Sequence, residues 1–185
     1  MFKRIYLITS NEDRYEFITK ALSSFGIKME RKSLPLTEIQ ADSVEQVAIA
    51  KALSAAKQLG EPSICEDTEF NLVTLDNFPG PYMKFVQARI SIEKLLALMQ
   101  GENNRTAIFR SVLVYAEPNG FYKTFATELK GIIIKEKRGT NGRGWDTVFE
   151  LKSGKTLAEY DNLERFNLWN KGYLELGKWL STKID

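Results

Sequence analysis

The stretch Arg4-Ile5-Tyr6-Leu7-Ile8-Thr9-Ser10-Asn11-Glu12-Asp13-Arg14 decides the fold. Its apolar residues 5–8 run without a break, the pattern of a strand covered on both faces of a sheet. Thr9-Ser10-Asn11 interrupts them. Tyr15, Ile18, Leu22 and Phe25 then recur at helical spacing, so residues 14–25 read as a helix. Strand, short polar turn and helix in that order aim backbone N–H groups and the positive helix end at an anion.

Outward from there, residues 43–59 read as a second helix, capped by Asp42 or Ser43, with Ser43-x-x-Gln46 matching a capping box. Its apolar face holds Val44, Val47, Ala48, Ala55 and Leu59, and Lys51 stands inside that stripe. A lysine so placed either extends its ammonium to water or meets an anion. Residues 62–65 form a short apolar strand ending at Glu66-Asp67-Thr68; Phe70, Leu72 and Val73 suggest another. Asn77-Phe78-Pro79-Gly80-Pro81 is a turn. A helix is expected over 92–99, and long strands over 106–116 and 121–134 joined by Glu117-Pro118-Asn119-Gly120. Residues 138–146 are a glycine-rich loop, and a closing helix over 163–180 places Phe166, Trp169, Tyr173, Leu176 and Leu180 on one face. Strands interleaved with helices give an α/β class with a mixed sheet. No repeat, linker or low-complexity tract divides the chain, so 1–185 is expected to be a single domain.

Composition removes several function classes. A net charge of +2 is too small to argue for duplex nucleic acid or a membrane surface as partner. No apolar run approaches the roughly 18 residues of a membrane helix. The opening Met1-Phe2-Lys3-Arg4 is basic and then apolar, but residues 5–8 are too short for a signal peptide and read better as a buried strand. Cys65 is the sole cysteine, which excludes an intramolecular disulfide and favours a cytoplasmic location. The chain has no histidine. That excludes imidazole acid/base chemistry, Ser-His-Asp triads and histidine metal sites, leaving carboxylates, Lys, Arg, Tyr or Cys, with or without a metal.

Five segments carry candidate chemistry. Thr9, Ser10, Asn11 and Arg14 offer hydroxyl, amide and guanidinium donors to phosphates, or simply cap the first helix. Glu66 and Asp67 sit at the carboxyl end of a strand, where α/β proteins gather ligands, and are suited to Mg²⁺ as hard oxygen donors. On a strand the two point to opposite faces, so only one is expected to face a site; the alternative is a solvated strand end. Glu38, after Leu34-Pro35-Leu36-Thr37, is a third carboxylate or an exposed loop acid. Phe78-Pro79-Gly80-Pro81-Tyr82-Met83-Lys84 is a stiff loop that delivers Lys84 to phosphate, or a structural turn. Arg143-Gly144-Trp145-Asp146 offers an aromatic and a carboxylate to flank a base, or a core tryptophan.

Their order and spacing resemble the inosine/xanthosine triphosphate pyrophosphatase family. The shared segments are Thr9-Ser10-Asn11-x-x-Arg14, Leu36-x-Glu38-Ile39-Gln40, Ala50-Lys51-Ala52, Glu66-Asp67-Thr68, Phe78-Pro79-Gly80-Pro81-Tyr82-x-Lys84, Arg138-Gly139, Gly144-Trp145-Asp146 and Thr156-x-Ala158-Glu159. The resemblance implies an elongated long mixed β-sheet flanked by helices, two lobes with a central cleft, and a homodimer. It implies Mg²⁺-dependent hydrolysis of a nucleoside triphosphate to the monophosphate and pyrophosphate. By position it makes Asp67 the acid that activates water or binds metal, Glu38 a metal ligand, and Thr9, Asn11, Arg14, Lys51 and Lys84 the groups facing the triphosphate, with Lys51 sharing the catalytic role.

The departures are uneven. Where the family carries Ser-His-Arg to read the base, this chain has Trp169-Asn170-Lys171. Arg143 replaces a phenylalanine, Arg14 a lysine and Glu69 a glycine, while Glu164-Arg165-Phe166 replaces Glu-Lys-Asn. Phosphate and metal positions keep their charge type and base-reading positions change, so base choice is expected to differ more than cleavage. Arg143 offers a guanidinium plane for stacking, Asn170 or Lys171 a donor to a base oxygen, and Trp169 a place in the helix's apolar stripe. The other open function is a non-catalytic nucleotide sensor; retention of Glu38 and Asp67 favours the enzyme.

Overall fold

The structure, a computed structural model, describes residues 4–184, so the start of the amino-terminal stretch, residues 1–3, lies outside it. In chain order the elements are β1 (Tyr6–Ile8), α1 (Glu12–Ser23), β2 (Glu30–Lys32), α2 (Val44–Leu59), β3 (Ser63–Leu72), β4 (Phe78–Gly80), α3 (Met83–Gln87), α4 (Ile92–Leu98), β5 (Thr106–Ala116), β6 (Tyr122–Ile133), β7 (Phe149–Leu151) and α5 (Asn162–Ile184). The strands form one seven-stranded sheet in the order β2-β1-β3-β5-β6-β7, with β4 paired to β3. β1 runs parallel to β2 and β3, whereas β4 and β7 run antiparallel to β3 and β6, so the sheet is mixed as the sequence indicates.

The chain divides into two compact units: one holds residues up to Asp67, Ser111–Thr127 and Trp169 onward, the other Thr68–Arg110 and Glu128–Leu168. In the first unit, small residues let α2 lie close on the sheet. Val44, Ala48, Ala52, Ala55 and Ala56 pack against Cys65, Val112, Val114 and Ala116, and Ser63 Oγ donates to the Ala52 carbonyl at 2.8 Å. The alternate residues of β5 face the other helices. A Cβ on Gly172 of α5 would lie 3.3 Å from Leu113, and Tyr115 meets the Trp179 ring edge-on at 5.1 Å. The order through this unit is therefore α2, sheet, then α5 with α1 beside it. Gly177 makes the last contact possible, because a Cβ there would run into the Phe25 ring and Leu22. Local chemistry sets the ends: Asn11 accepts from the Arg14 N–H to start α1, Ser43 accepts from the Gln46 N–H to start α2, and Gly60 at φ 68° ends α2.

In the second unit Phe70 is the centre of an aromatic cluster, its ring edge-on to Phe109, Trp145 and Phe149 at 5.5, 5.5 and 5.2 Å. Arg105 ties the chain above it by donating to the carbonyls of Met99, Ile133 and Ile134.

Three elements differ from the sequence expectation. The strand expected to stop at Cys65 continues as β3 to Leu72, because the acids inside it find partners. β2 is Glu-Arg-Lys with every residue exposed, an edge strand of charged residues with no apolar signal to read. The turn around Pro79 contains a strand, β4, and a short helix, α3.

Cys65 is 1% exposed, and burial pushes its thiol up to about 12, with the charge of Lys51 pulling the other way. An unfolded thiol titrates near 8.5. A pKa raised on folding gives stability that is complete below about pH 8.5 and is lost as pH climbs toward the folded value. Between pH 7.5 and 10 the protein is expected to lose on the order of 1–2 kcal/mol more unfolding free energy than Cys65→Ala, measured by urea denaturation. Equal losses would reject the buried thiol as the cause.

Candidate active site

The turn after β1 is ordered by its own side chains. Thr9 Oγ1 accepts from the Asn11 N–H at 3.0 Å, Asn11 Oδ1 accepts from the Arg14 N–H at 3.2 Å, and the Ser10 carbonyl accepts from Arg31 Nη2 at 3.0 Å. Capping is thus observed, and it presents the start of α1 with Ser10 exposed beside it.

Glu66 and Asp67 diverge as the strand pleat requires, each finding its counter-charge on its own face. Glu66, 5% exposed, pairs through Oε2 with Arg14 Nε at 2.7 Å, and its carbonyl accepts from Arg14 Nη1 at 2.9 Å. Its Oε1 accepts from Ser111 Oγ and, at 3.1 Å, from the Tyr173 hydroxyl. Burial alone would lower the Arg14 pKa; the charge of Glu66, with smaller help from Tyr173 and Asp67, outweighs it and raises the pKa. Burial, then the same carboxylate, push the Tyr173 hydroxyl well above its usual range, so it remains a donor.

On the other face Lys51 resolves the alternative left by the sequence: it meets two anions. Its Nζ lies 2.8 Å from Asp67 Oδ2 and 2.8 Å from Glu38 Oε1. Burial would lower the Lys51 pKa, but Asp67 first and then Glu38 hold it above the ordinary lysine value. Among the described residues no three His, Cys, Asp or Glu side chains gather as a metal cluster; the two acids that converge are Glu38 and Asp67.

The second unit holds the rest. Lys84 lies exposed in α3. Asp146, 8% exposed, accepts through Oδ2 from the Arg143 N–H at 2.8 Å and from Arg165 Nη2 at 2.9 Å, while Arg165 Nη1 donates to the Leu157 carbonyl at 2.7 Å. Gly142, at φ 85°, is required where the chain passes them, because a Cβ would strike both the Asp146 carboxylate and the Arg165 guanidinium. Glu69, where the family pattern has glycine, is buried and lies 3.8 Å from Arg110.

Trp145 takes a place in the core: it is 2% exposed, its ring meets Phe70 edge-on, and its indole N–H points to the Ile90 carbonyl at 3.4 Å. Back in the first unit, Lys171 is exposed and lies 3.8 Å from Glu175, Asn170 is half-buried, and Thr127 Oγ1 joins the Trp169 carbonyl to the Gly172 N–H at 3.2 and 2.8 Å. Sequence reading missed Ser111 and Tyr173. Tyr173 was legible only as part of an apolar stripe, and Ser111 stands beside Arg110 just before the apolar run 112–116 of β5.

The sequence model of the Ham1 family matches residues 5–170. A dITP/XTP pyrophosphatase of Methanopyrus kandleri is 40% identical over 182 residues, covering 91% of this chain and 96% of its own. One of Hyperthermus butylicus is 36% identical over 184 residues, covering 97% and 96%. Among solved structures, a HAM1 protein from Coxiella burnetii superposes with a TM-score of 0.84 at 26% identity, covering 100% of this chain and 98% of that one.

Two cationic residues of the carboxyl-terminal helix differ sharply in setting. Arg165 and Asp146 form a pair with side chains 17% and 11% exposed, whereas those of Lys171 and Glu175 are 69% and 50% exposed. Arg165→Met is expected to cost on the order of 3 kcal/mol in chemical denaturation, and Lys171→Met less than about 0.5 kcal/mol. Similar costs for the two would contradict the buried pair.

Proposed function

This chain belongs to the Ham1 family, and from that premise we propose that it hydrolyses non-standard purine nucleoside triphosphates, dITP and XTP among them, to the monophosphate and pyrophosphate. The observation that carries the chemistry is the convergence of Asp67 and Glu38 on one cationic nitrogen, Lys51 Nζ, at 2.8 Å each. Relatives named dITP/XTP pyrophosphatase supply the substrate class.

The same convergence tests the fit of Mg²⁺. Two hard oxygen donors already meet about a positive centre, and buried Asp67 Oδ2 has no hydrogen-bond partner beyond its ion pair with Lys51. Both features suit a divalent cation that takes its remaining ligands from phosphate and water. Glu38 and Asp67 would hold it, and when bound it supplies charge neutralisation of the phosphates.

The chain's own groups do the rest. Thr9, Ser10 and Asn11 at the start of α1 donate to phosphate oxygens. Lys51, kept charged by its two acids, turns to the triphosphate, a role that the family resemblance alone also gives to exposed Lys84. Water attacks the α-phosphorus: the new P–O bond forms as the bond to the α–β bridging oxygen breaks, and its electron pair leaves with pyrophosphate. Asp67 orients the water and accepts its proton. Lysine charge stabilises the leaving group, so the acceleration comes from positioning and electrostatics and requires no imidazole. Base choice falls to Arg143, Asp146 and Arg165, with Asn170 and Lys171 standing at the family's Ser-His-Arg positions. The enzyme acts as a cytoplasmic homodimer without a nucleic-acid or membrane partner. Among the described residues no helix is long and apolar enough to cross a membrane.

Pyrophosphate release from a panel of NTPs and dNTPs, with and without Mg²⁺, tests this reading. Mg²⁺-dependent release is expected, fastest from dITP, ITP or XTP. Tight nucleotide binding with no release from any substrate would instead establish the sensor. Asp67→Asn is expected to lower kcat by about 10³-fold or more while nucleotide still binds. Full activity in that variant would remove Asp67 from the reaction.

A further inference from the structure

Family resemblance gives position 14 to the triphosphate, yet here its side chain is engaged elsewhere. Arg14 places Nε 2.7 Å from Glu66 Oε2 and donates from Nη1 to the Glu66 carbonyl at 2.9 Å. Two of its three nitrogens are committed to one residue. That carbonyl belongs to the peptide joining Glu66 to Asp67, so Arg14 holds the plane from which Asp67 departs toward Lys51. The remaining Glu66 oxygen, Oε1, accepts from Ser111 on β5 and Tyr173 on α5.

Three elements thus grip one carboxylate that is 5% exposed. So enclosed, Glu66 has little capacity left for a metal ion. Arg14, its charge opposed at contact distance, has little net field to offer a phosphate. The fork of arginine explains the departure from lysine: a single ammonium lacks the planar pair of donors that reaches carboxylate and carbonyl together.

We propose that Arg14, acting through Glu66 with Tyr173, is a positioning residue for Asp67 and not a phosphate ligand. This rests on the pyrophosphatase reading, in which Asp67 serves the attacking water. Strand geometry carries the effect: neighbouring residues point to opposite faces, so fixing Glu66 and its carbonyl on one face fixes the direction of Asp67 on the other. Small displacements of a reacting group cost up to about 100-fold in rate.

The test is a split between binding and turnover. Arg14→Lys keeps a positive charge but loses the fork; it is expected to lower kcat by about 20-fold or more while KM for dITP stays within about threefold. Tyr173→Phe, which leaves Arg14 in place, is expected to lower kcat by about three- to tenfold, again with KM nearly constant. Thermal melting confirms that each variant is folded at the assay temperature. Calorimetry with Mg²⁺ and inorganic pyrophosphate supplies a readout that needs no turnover, and Kd in Arg14→Met should stay within about threefold of wild type. Full turnover in Arg14→Lys, or a tenfold weaker pyrophosphate Kd in Arg14→Met, overturns the assignment and returns Arg14 to the phosphates. If the wild-type protein releases no pyrophosphate from any nucleotide, the pyrophosphatase reading fails, and the calorimetric arm still decides whether Arg14 is a phosphate ligand.

Discussion

Adjacent carboxylates within a largely buried strand must each be neutralised from their own side of the sheet. Leaving either one buried and unpaired would cost several kcal/mol. Much of the first unit answers this constraint. α1 delivers Arg14 and α5 delivers Tyr173 to Glu66, while α2 delivers Lys51 to Asp67. Lys51 reaches its acid because the alanines around it bring α2 close to the sheet. The polar turn before α1 has the same logic: Asn11 fixes where the helix begins, and so where Arg14 one turn later will point.

Sequence reading reached the elements whose signals are local. The run through Leu7, the Ser43 cap, the full extent of β5 and the opposite facing of Glu66 and Asp67 were all readable, because caps, apolar runs and strand alternation act over a few residues. What failed depends on distant partners. Glu66-Asp67-Thr68 looks like the end of a strand, and β3 continues only because its acids are met by residues far along the chain; Tyr173 is 107 positions from Glu66. The burial of Trp145 is of the same kind, because its partner Phe70 becomes visible only when the strands are assembled. Lys51 was ambiguous for a related reason: its stripe position said that it was half-covered, not what it met.

The substitutions that set this chain apart from the family pattern divide by how they are held. Glu69 brings a new charge and meets Arg110, while Arg165 keeps the positive charge of a lysine and closes on Asp146. At position 14, arginine adds a second bond to the same strand that a lysine cannot make. Lys171 is different, standing exposed with only a distant helical neighbour in Glu175. Its position therefore tolerates change at little cost in stability.

A chain without histidine also has a consequence for charge. Around the acid pair, Arg14 and Lys51 are both held above their ordinary pKa values, while Tyr173 and Cys65 are both pushed upward. The two cations therefore remain cations, and the phenol and thiol remain neutral, throughout the range in which an imidazole would change state. These four groups present a constant electrostatic field near neutrality. The nucleotide's own terminal phosphate, which by analogy with other phosphate monoesters loses its last proton near pH 6, varies in that range instead. On the proposed mechanism each further negative charge on the substrate then meets a Lys51 whose charge is unchanged. A site organised in this way adjusts to pH through its substrate, and an imidazole at the acid pair would only make its field less constant.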